Sequence, residues 1–406
     1  MDIQRIFTSR IGGKDFGIVD KSYKFSIIDR KKNKFLELNP GVALLDLGLG
    51  EPEQKCPQNI IDRLYQEASK KKNQVYPLTT QLDFCQACAT YLKNLINVNC
   101  DPQSEIILCL GAKPALAGLP FAFLDPGDTV LATTPGYSVF QTVSNWIGAN
   151  VIDIPISIAN QFLPEIDQLE ALIQRHSPKV LLLNYPNNPT GAVANIDFYN
   201  KVVLLAQKYS FIIIQDAPYS DFVYNGVFCS PLQVEGGKDV CLEVYSFSKS
   251  FNMQGFRIGF VAGDAKLIKA YATIRDNIDS GQFIPIQKAA IEALENNREF
   301  THESRLRYQK RQKEISSILQ SVGITTPVPA GGMYLYAEVP KEFQNCSFNT
   351  AMEFCDFLIS RHGIITVPFE DPSGPHIRLS MTFETQNETF KNDEAFYKSL
   401  CKRLKN

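Results

Sequence analysis

Lys249 lies in a segment that suits covalent chemistry on a carbonyl compound. It follows an apolar, strand-like run at 240–245, and a second apolar run at 258–261 comes soon after it. A primary amine held beside buried strands can form a Schiff base with an aldehyde. The segment therefore predicts that Lys249 binds an aldehyde covalently.

Hydroxyl and guanidinium groups flank this lysine. Ser246 and Ser248 lie beside it, and Arg257 follows in the same segment. Serine hydroxyls and the planar fork of arginine are groups that can hold a phosphate dianion. An aldehyde and a phosphate together indicate pyridoxal 5′-phosphate as the cofactor. A Ser-x-Ser-Lys string by itself is also typical of exposed loops, so the prediction depends on the other segments.

Two further segments place polar side chains after apolar strands. Asn188 lies in a turn rich in proline, and Asp216 follows the apolar run at 211–214. Side chains at the carboxyl ends of strands line the ligand crevice of an open α/β sheet. We therefore predict that Asn188 and Tyr219 contact the phenolate oxygen of the pyridoxal ring and that Asp216 keeps the ring nitrogen protonated. The alternative role for Asp216 is a helix N-cap.

A second phosphate-binding element is predicted near residue 111. The apolar run 106–110 ends at Gly111, and Pro114 lies where the first turn of a helix would follow. Backbone N–H groups at a helix N-terminus bind anions. Gly111, Ala112 and Lys113 are therefore expected to hold the cofactor phosphate together with the serines and arginine near Lys249.

Arg378 is the candidate partner of a substrate carboxylate. It lies in an alternating, strand-like segment at 376–382. A guanidinium offers the bidentate geometry that a carboxylate accepts. The alternative is an arginine whose stem packs on the sheet while its head reaches water.

The order of these segments resembles that of the fold-type I pyridoxal phosphate aminotransferases, and within that superfamily the chain is most similar to the LL-diaminopimelate aminotransferases. Further matching strings lie at 11–17, 23–25, 111–116, 135–137, 184–193 and 276–287. The resemblance implies that Lys249 also shuttles the proton, that Tyr137 stacks on the ring, and that Gly50 lies where substrate passes close to the backbone.

The resemblance also implies a homodimer in which Tyr76 reaches the cofactor phosphate of the neighbouring subunit. One departure concerns the loop that follows this tyrosine. It reads Leu78-Thr79-Thr80, whereas family members tend to have an Asp-Asn-Gly type of turn there. Because that loop lines the substrate pocket in the family, the departure bears on the substrate more than on the reaction type.

The reaction implied is transfer of an amino group between an amino acid and a 2-oxo acid. The subfamily implies LL-2,6-diaminopimelate with 2-oxoglutarate, for synthesis of lysine and a cell-wall precursor. The alternatives are an aminotransferase of aspartate, alanine or an aromatic amino acid, and a pyridoxal phosphate-dependent β-lyase. A non-enzymatic, DNA-binding relative is the third alternative, and the residues before 45 offer no room for its DNA-binding module.

Strand-like and helical segments alternate over most of the 406 residues, so we predict an α/β fold. A doubly wound, mostly parallel sheet is expected in a large domain over 46–289. A smaller α/β domain is expected from residues 1–45 and 290–406.

Composition excludes several other classes of protein. A formal net charge of −2 provides no excess of positive charge that would bind nucleic acid or an anionic membrane surface. No apolar stretch approaches the roughly 18 residues of a membrane span, and no signal-peptide pattern opens the chain, so a cytoplasmic protein is expected. The ten cysteines form no framework, the Cys85 and Cys88 pair is expected in a helix core, and the four histidines suggest no metal site.

Overall fold

The computed structural model describes residues 3–17, 24–77 and 80–405, with the side chains of 24–27 left out of the description. Two predictions fall partly beyond these ranges. The altered loop lies outside them at Leu78 and Thr79, and the matching string 23–25 lies outside them at Tyr23.

Among the described residues the larger sheet has seven strands, and the apolar runs at 106–110, 211–214, 240–245 and 258–261 each agree with one of them within two residues at either end. The strands are β2 (Ile106–Cys109), β3 (Thr129–Thr134), β4 (Asn150–Pro155), β5 (Val180–Asn184), β6 (Ile212–Asp216), β7 (Cys241–Ser246) and β8 (Gly259–Gly263), preceded in the chain by the short β1 (Leu45–Asp46). Their spatial order is β2-β8-β7-β6-β5-β3-β4, and only β8 runs antiparallel to its neighbours.

Helices cover both faces of this sheet. On β5, Leu181 and Leu183 pack into one core, while Val180 and Leu182 pack into another on the opposite face. This alternation follows from the two-residue period of a strand, and burial on both faces explains the continuous apolar runs. The prediction of a doubly wound, mostly parallel sheet is therefore confirmed.

The helices of the first part of the chain are α1 (Lys24–Leu38), α2 (Gln58–Ala68), α3 (Leu82–Ile96), α4 (Ala112–Phe123), α5 (Val139–Trp146), α6 (Ile166–His176), α7 (Ile196–Tyr209), α8 (Gly237–Val240), α9 (Phe247–Ser250), α10 (Ala265–Arg275) and α11 (Ile284–Asn296). Short 3₁₀ helices lie at Ile3–Ile6, Ser9–Ile11, Gly13–Asp15, Lys71–Asn73, Ile158–Asn160, Pro231–Gln233 and Gln254–Phe256. Among the helices described, none has the length and apolar character needed to cross a membrane.

A smaller antiparallel sheet follows near the end of the chain. Its three strands are β9 (Tyr334–Glu338), β13 (Val367–Asp371) and β14 (Gly374–Ser380), in the order β13-β14-β9. The remaining elements are α12 (Arg298–Ser321), β10 (Glu342–Phe343), β11 (Cys346–Ser347), α13 (Ala351–His362), β12 (Ile364–Ile365) and α14 (Asp393–Lys405). These strands and helices share a core of their own, which includes Tyr308, Leu335 and Phe354.

Candidate active site

The carboxyl ends of six strands lie at one edge of the large sheet. Strands β3 to β7 are parallel to one another, and β2 points the same way because both β2 and β7 are antiparallel to β8. The reversed β8 begins at this same edge. The segments that carry the predicted cofactor-binding groups therefore converge, although long stretches of chain separate them.

A cavity of about 320 Å³ lies at this edge. The site residues predicted from the sequence that line it are Gly50, Ala112, Lys113, Tyr137, Asn188, Asp216, Tyr219, Ser246, Ser248, Lys249, Arg257 and Arg378. Leu49, Pro218, Gln254 and Tyr334 also line it. Gly111 and Tyr76 are the predicted site residues that do not line it, and Tyr76 is 79% exposed.

The amine of Lys249 lies within the cavity, on the short helix α9. Ser246 caps this helix, since its hydroxyl accepts a hydrogen bond from the Ser248 N–H at 3.2 Å. Lys249 Nζ donates to the Gly50 carbonyl oxygen at 2.5 Å. Burial lowers the pKa of the Lys249 ammonium, because the charged form is poorly solvated there. A neutral amine is the form that attacks an aldehyde.

Asp216 has an unsatisfied oxygen that fits a cationic ring nitrogen. Its Oδ2 accepts a hydrogen bond from Asn184 Nδ2 at 3.1 Å, whereas its Oδ1 is buried with no partner among the residues described. Burial raises the pKa of Asp216 to about 7. A protonated pyridine nitrogen would supply the missing donor and favour the carboxylate, so the residue fits the cofactor ring.

The phosphate cradle consists of a helix start and a guanidinium. Gly111 has a φ of 89°, and a Cβ there would lie only 2.7 Å from Arg257 Nη2. Glycine thus leaves room for the guanidinium beside the first turn of α4, whose free N–H groups favour an anion. Gln282 Nε2 donates to the Arg257 carbonyl oxygen at 2.6 Å and supports this loop. These groups fit a phosphate dianion.

Arg378 is held at the other side of the cavity. Its Nη1 donates to Asn188 Oδ1 at 3.0 Å, and its Nη2 donates to the Gly48 carbonyl oxygen at 2.8 Å. Within the described ranges, its Nε is buried and has no hydrogen-bond partner. Because Asn188 uses its oxygen for Arg378, its amide N–H groups remain to donate elsewhere in the cavity.

Sequence reasoning missed several residues that shape the site. Asn184 begins the matching string 184–193 and was given no role, yet it holds Asp216. Gln282 lies in the matching string 276–287 and was given no role in the cavity, yet it supports Arg257. Tyr334 begins β9 and lies 2.9 Å from Tyr219, measured between the two hydroxyl oxygens. The sequence around Tyr334 shows only an alternating, strand-like pattern after Gly331 and Gly332. Such a pattern does not indicate which cavity a side chain enters.

No cysteine lines this cavity among the residues described. All ten are free thiols, and Cys85 and Cys88 are buried in α3. Burial raises the pKa of Cys85 to about 12, so its thiol stays protonated near neutral pH. Across the described ranges, no group of three or more His, Cys, Asp or Glu side chains is placed to hold a metal ion.

Comparison with known proteins gives a consistent picture. Residues 42–391 match the family model for aminotransferase class I and II. The chain is 41% identical over 387 residues to the LL-diaminopimelate aminotransferase of Methanocaldococcus jannaschii, covering 95% of this chain and 92% of that protein. It is 39% identical to the LL-diaminopimelate aminotransferase of Methanococcus maripaludis, covering 97% and 93%.

A solved structure of an aspartate aminotransferase from Thermus thermophilus, a single mutant, is also similar. It superposes with a TM-score of 0.85 at 25% identity, and the match covers 98% of each chain. The α/β fold with a large, mostly parallel sheet is therefore the fold type I arrangement, as the resemblance implied.

Proposed function

The chain belongs to the class I and II aminotransferases, and on that premise we propose that it transfers an amino group between LL-2,6-diaminopimelate and 2-oxoglutarate. The reaction type rests on the family and on one cavity that joins Lys249, Asp216 and Arg378. The substrate rests on the similarity, over nearly the whole chain, to two LL-diaminopimelate aminotransferases. Lysine and cell-wall precursor synthesis is the corresponding pathway.

The roles of the site residues follow the family resemblance, and their places in the cavity support them. Arg257, Ser246, Ser248, Ala112 and Lys113 hold the cofactor phosphate. Asp216 pairs with the ring nitrogen, Asn188 and Tyr219 contact the phenolate oxygen, and Tyr137 stacks on the ring. When bound, pyridoxal 5′-phosphate supplies a ring that accepts the electrons released at the substrate α-carbon.

The protein's own groups direct the proton transfers. Arg378 binds the α-carboxylate and so orients the substrate, and its Nε, which has no partner among the described residues, is an additional donor. Lys249 Nζ removes the proton from the substrate α-carbon, because burial keeps this amine readily deprotonated. The carboxylate of Asp216 would stabilise a positive ring nitrogen most strongly when negative charge develops at the substrate α-carbon. It would therefore lower the activation barrier of the proton transfer, in addition to helping the cofactor bind.

The two predicted domains remain part of this proposal. Strand β1 pairs in parallel with β12, and α1 packs on α13, which supports joining residues 1–45 to 290–406. Arg378 and Tyr334 come from the smaller sheet, whereas Asp216 ends strand β6 of the larger sheet and Lys249 lies on helix α9, which follows its strand β7. A small domain that closes over the substrate would bring Arg378 onto its carboxylate. A cytoplasmic location, supported by ten free thiols, also belongs to the proposal.

A substrate panel tests the proposal. Purified protein with pyridoxal 5′-phosphate should transaminate LL-diaminopimelate with 2-oxoglutarate, with a kcat/KM at least about tenfold above that for aspartate, alanine or phenylalanine. A higher value for one of those amino acids would assign a different substrate. Pyruvate and ammonia released from a β-substituted amino acid, without any 2-oxo acid acceptor, would instead indicate a β-lyase.

A further inference from the structure

Tyr334 contacts three of the groups assigned to catalysis. It begins β9 and is 2% exposed. Its hydroxyl oxygen lies 2.9 Å from that of Tyr219, and the Arg378 guanidinium carbon lies 4.3 Å from the centre of its ring. A Cβ on Gly50 would lie 2.1 Å from the same hydroxyl oxygen. Gly50 therefore has to be glycine for Tyr334 to occupy this place.

We infer that Tyr334 is a positioning residue, which orients Tyr219 towards the phenolate oxygen of the cofactor and Arg378 towards the substrate carboxylate. The inference rests on the proposed function, because both targets belong to it. It assigns separate roles to the hydroxyl and to the ring, and these roles can be tested separately.

The role of the hydroxyl follows from counting protons. Each tyrosine hydroxyl carries one proton, so only one of the pair can donate across the 2.9 Å contact. If Tyr219 donates to the anionic phenolate oxygen, Tyr334 must be the donor to Tyr219. A hydroxyl that accepts one hydrogen bond becomes a stronger donor in the next. Tyr334 thus strengthens the contact that Tyr219 makes with the cofactor.

The role of the ring follows from its position against Arg378. The guanidinium already donates to Asn188 and Gly48 through its two terminal nitrogens. The Tyr334 ring covers the guanidinium carbon at 4.3 Å, which is within the range of a cation–π contact. Both constraints fix the plane of the guanidinium before a carboxylate binds. Binding then orders fewer side-chain torsions.

The visible absorbance of the bound cofactor reports the hydroxyl role without measuring turnover. Donors to the phenolate oxygen favour its negative charge, so a weaker donor raises the pH at which this absorbance changes. Tyr334→Phe keeps the ring and removes the hydroxyl. In this variant we expect the midpoint pH of the absorbance change to rise by about 0.3–1 pH unit. Tyr336→Phe is the matched control, because Tyr336 lies on the same strand and its hydroxyl bonds Asp371 outside the cavity.

A double-mutant cycle shows whether this effect passes through Tyr219. In a Tyr219→Phe background, the further change Tyr334→Phe should leave the midpoint where Tyr219→Phe placed it. An equal shift in both backgrounds would overturn the relay. So would a wild-type midpoint in Tyr334→Phe alone, or an equal shift in Tyr336→Phe, which would indicate a general effect of the small sheet.

The ring role is measured with glutarate, a dicarboxylate with no amino or keto group. Its dissociation constant, read from the same absorbance, should rise about 3- to 30-fold in Tyr334→Leu. It should stay within about twofold of wild type in Tyr334→Phe, which keeps the ring. Unchanged affinity in Tyr334→Leu, or equal loss in both variants, would overturn the ring role. A wild-type protein without pH-dependent visible absorbance would refute the proposed function itself, and the inference with it.

Discussion

At residue 249, reactivity depends on how poorly the cavity solvates an ammonium ion. The amine has one hydrogen bond, to the Gly50 carbonyl oxygen, and burial lowers its pKa. No carboxylate bonds this nitrogen among the residues described, and burial outweighs the influence of Glu51 and Tyr334, which favour the charged form. An amine in this state serves both as a nucleophile and as a base.

Lys249→Ala should abolish both the pH-dependent visible absorbance and transamination. The variant loses the buried amine of the cavity, whereas Lys113, the other lysine that lines it, is exposed and belongs to the phosphate cradle. Absorbance spectra across pH and a coupled assay check this, with Lys201→Ala on the exposed side of α7 as the control. Retained transamination in Lys249→Ala would contradict the assignment.

The Asp216 carboxyl makes the apoprotein sensitive to pH. Burial raises its pKa from the ordinary 3.8 to about 7 in the folded protein. Below about pH 4 the group is protonated in both the folded and unfolded states, so burying it does not require a charge to leave water. As pH rises from about 4 to 7 the unfolded state gains stability by ionising first, so the folded state loses relative stability. Above about pH 7 the group is ionised in both states, so the loss of folded-state stability no longer changes with pH.

Asp216→Asn should therefore stabilise the apoprotein at pH 8. We expect a free energy of unfolding about 2–4 kcal/mol higher than that of the wild-type apoprotein, and less than half that gain at pH 5. With cofactor bound the order should reverse, because the amide cannot pair with a positive ring nitrogen. Urea unfolding at both pH values, with and without pyridoxal 5′-phosphate, measures this. An equal gain at pH 5 and pH 8 would contradict the argument.

Among the elements, the strands of the large sheet were the most predictable. Apart from the partly exposed edge strand β4, each is buried over most of its length, so its sequence is a mainly apolar run bounded by turn residues, and this signal is local. The positions of Asp216, Ser246 and Gly111 at strand ends followed from the same signal. The antiparallel direction of β8 did not follow, because an apolar run has no direction.

Contacts between distant elements could not be predicted from the sequence. Tyr334 meets Tyr219 across 115 residues of chain, and Gln282 supports Arg257 through its side chain. Neither pair has a spacing that marks it, because both contacts depend on the tertiary packing of the chain. The arginine at 378 was predicted only from the chemistry of guanidinium and the family resemblance. Its neighbours Gly48 and Asn188 became visible only in the structure.

The strand β14 presents Arg378, so losing this side chain should weaken every carboxylate substrate alike. Charged hydrogen bonds contribute about 1.5–3 kcal/mol, and Arg378→Leu should therefore weaken binding roughly 10- to 100-fold for amino acids and 2-oxo acids. Measured KM values for at least two donors and two acceptors test this. If only one substrate were affected, Arg378 would contact a side chain and not the common α-carboxylate.

At the scale of the whole molecule, two adjacent segments expose large apolar side chains. Tyr76 is 79% exposed and Ile278 is 63% exposed. Their segments touch, because Gly281 packs on the Pro77 carbonyl and Arg275 Nη1 donates to Thr80 Oγ1 at 3.3 Å. Exposed apolar groups on a shared patch indicate a surface covered by another chain. A second copy of this protein is the occupant that the family resemblance implies for Tyr76.

The active unit should therefore be a homodimer with twice the chain mass of 45.6 kDa. If Tyr76 completes the site of the partner, Tyr76→Ala and Lys249→Ala act on different chains of one site. Each variant alone should have little or no activity. Co-expressed variants form hybrid dimers in which one site keeps both residues intact, so about a quarter of wild-type activity should return. Light scattering gives the mass, and activity of the purified mixture gives the complementation. A fully active monomer, or a mixture no more active than its parents, would place Tyr76 outside the partner's site.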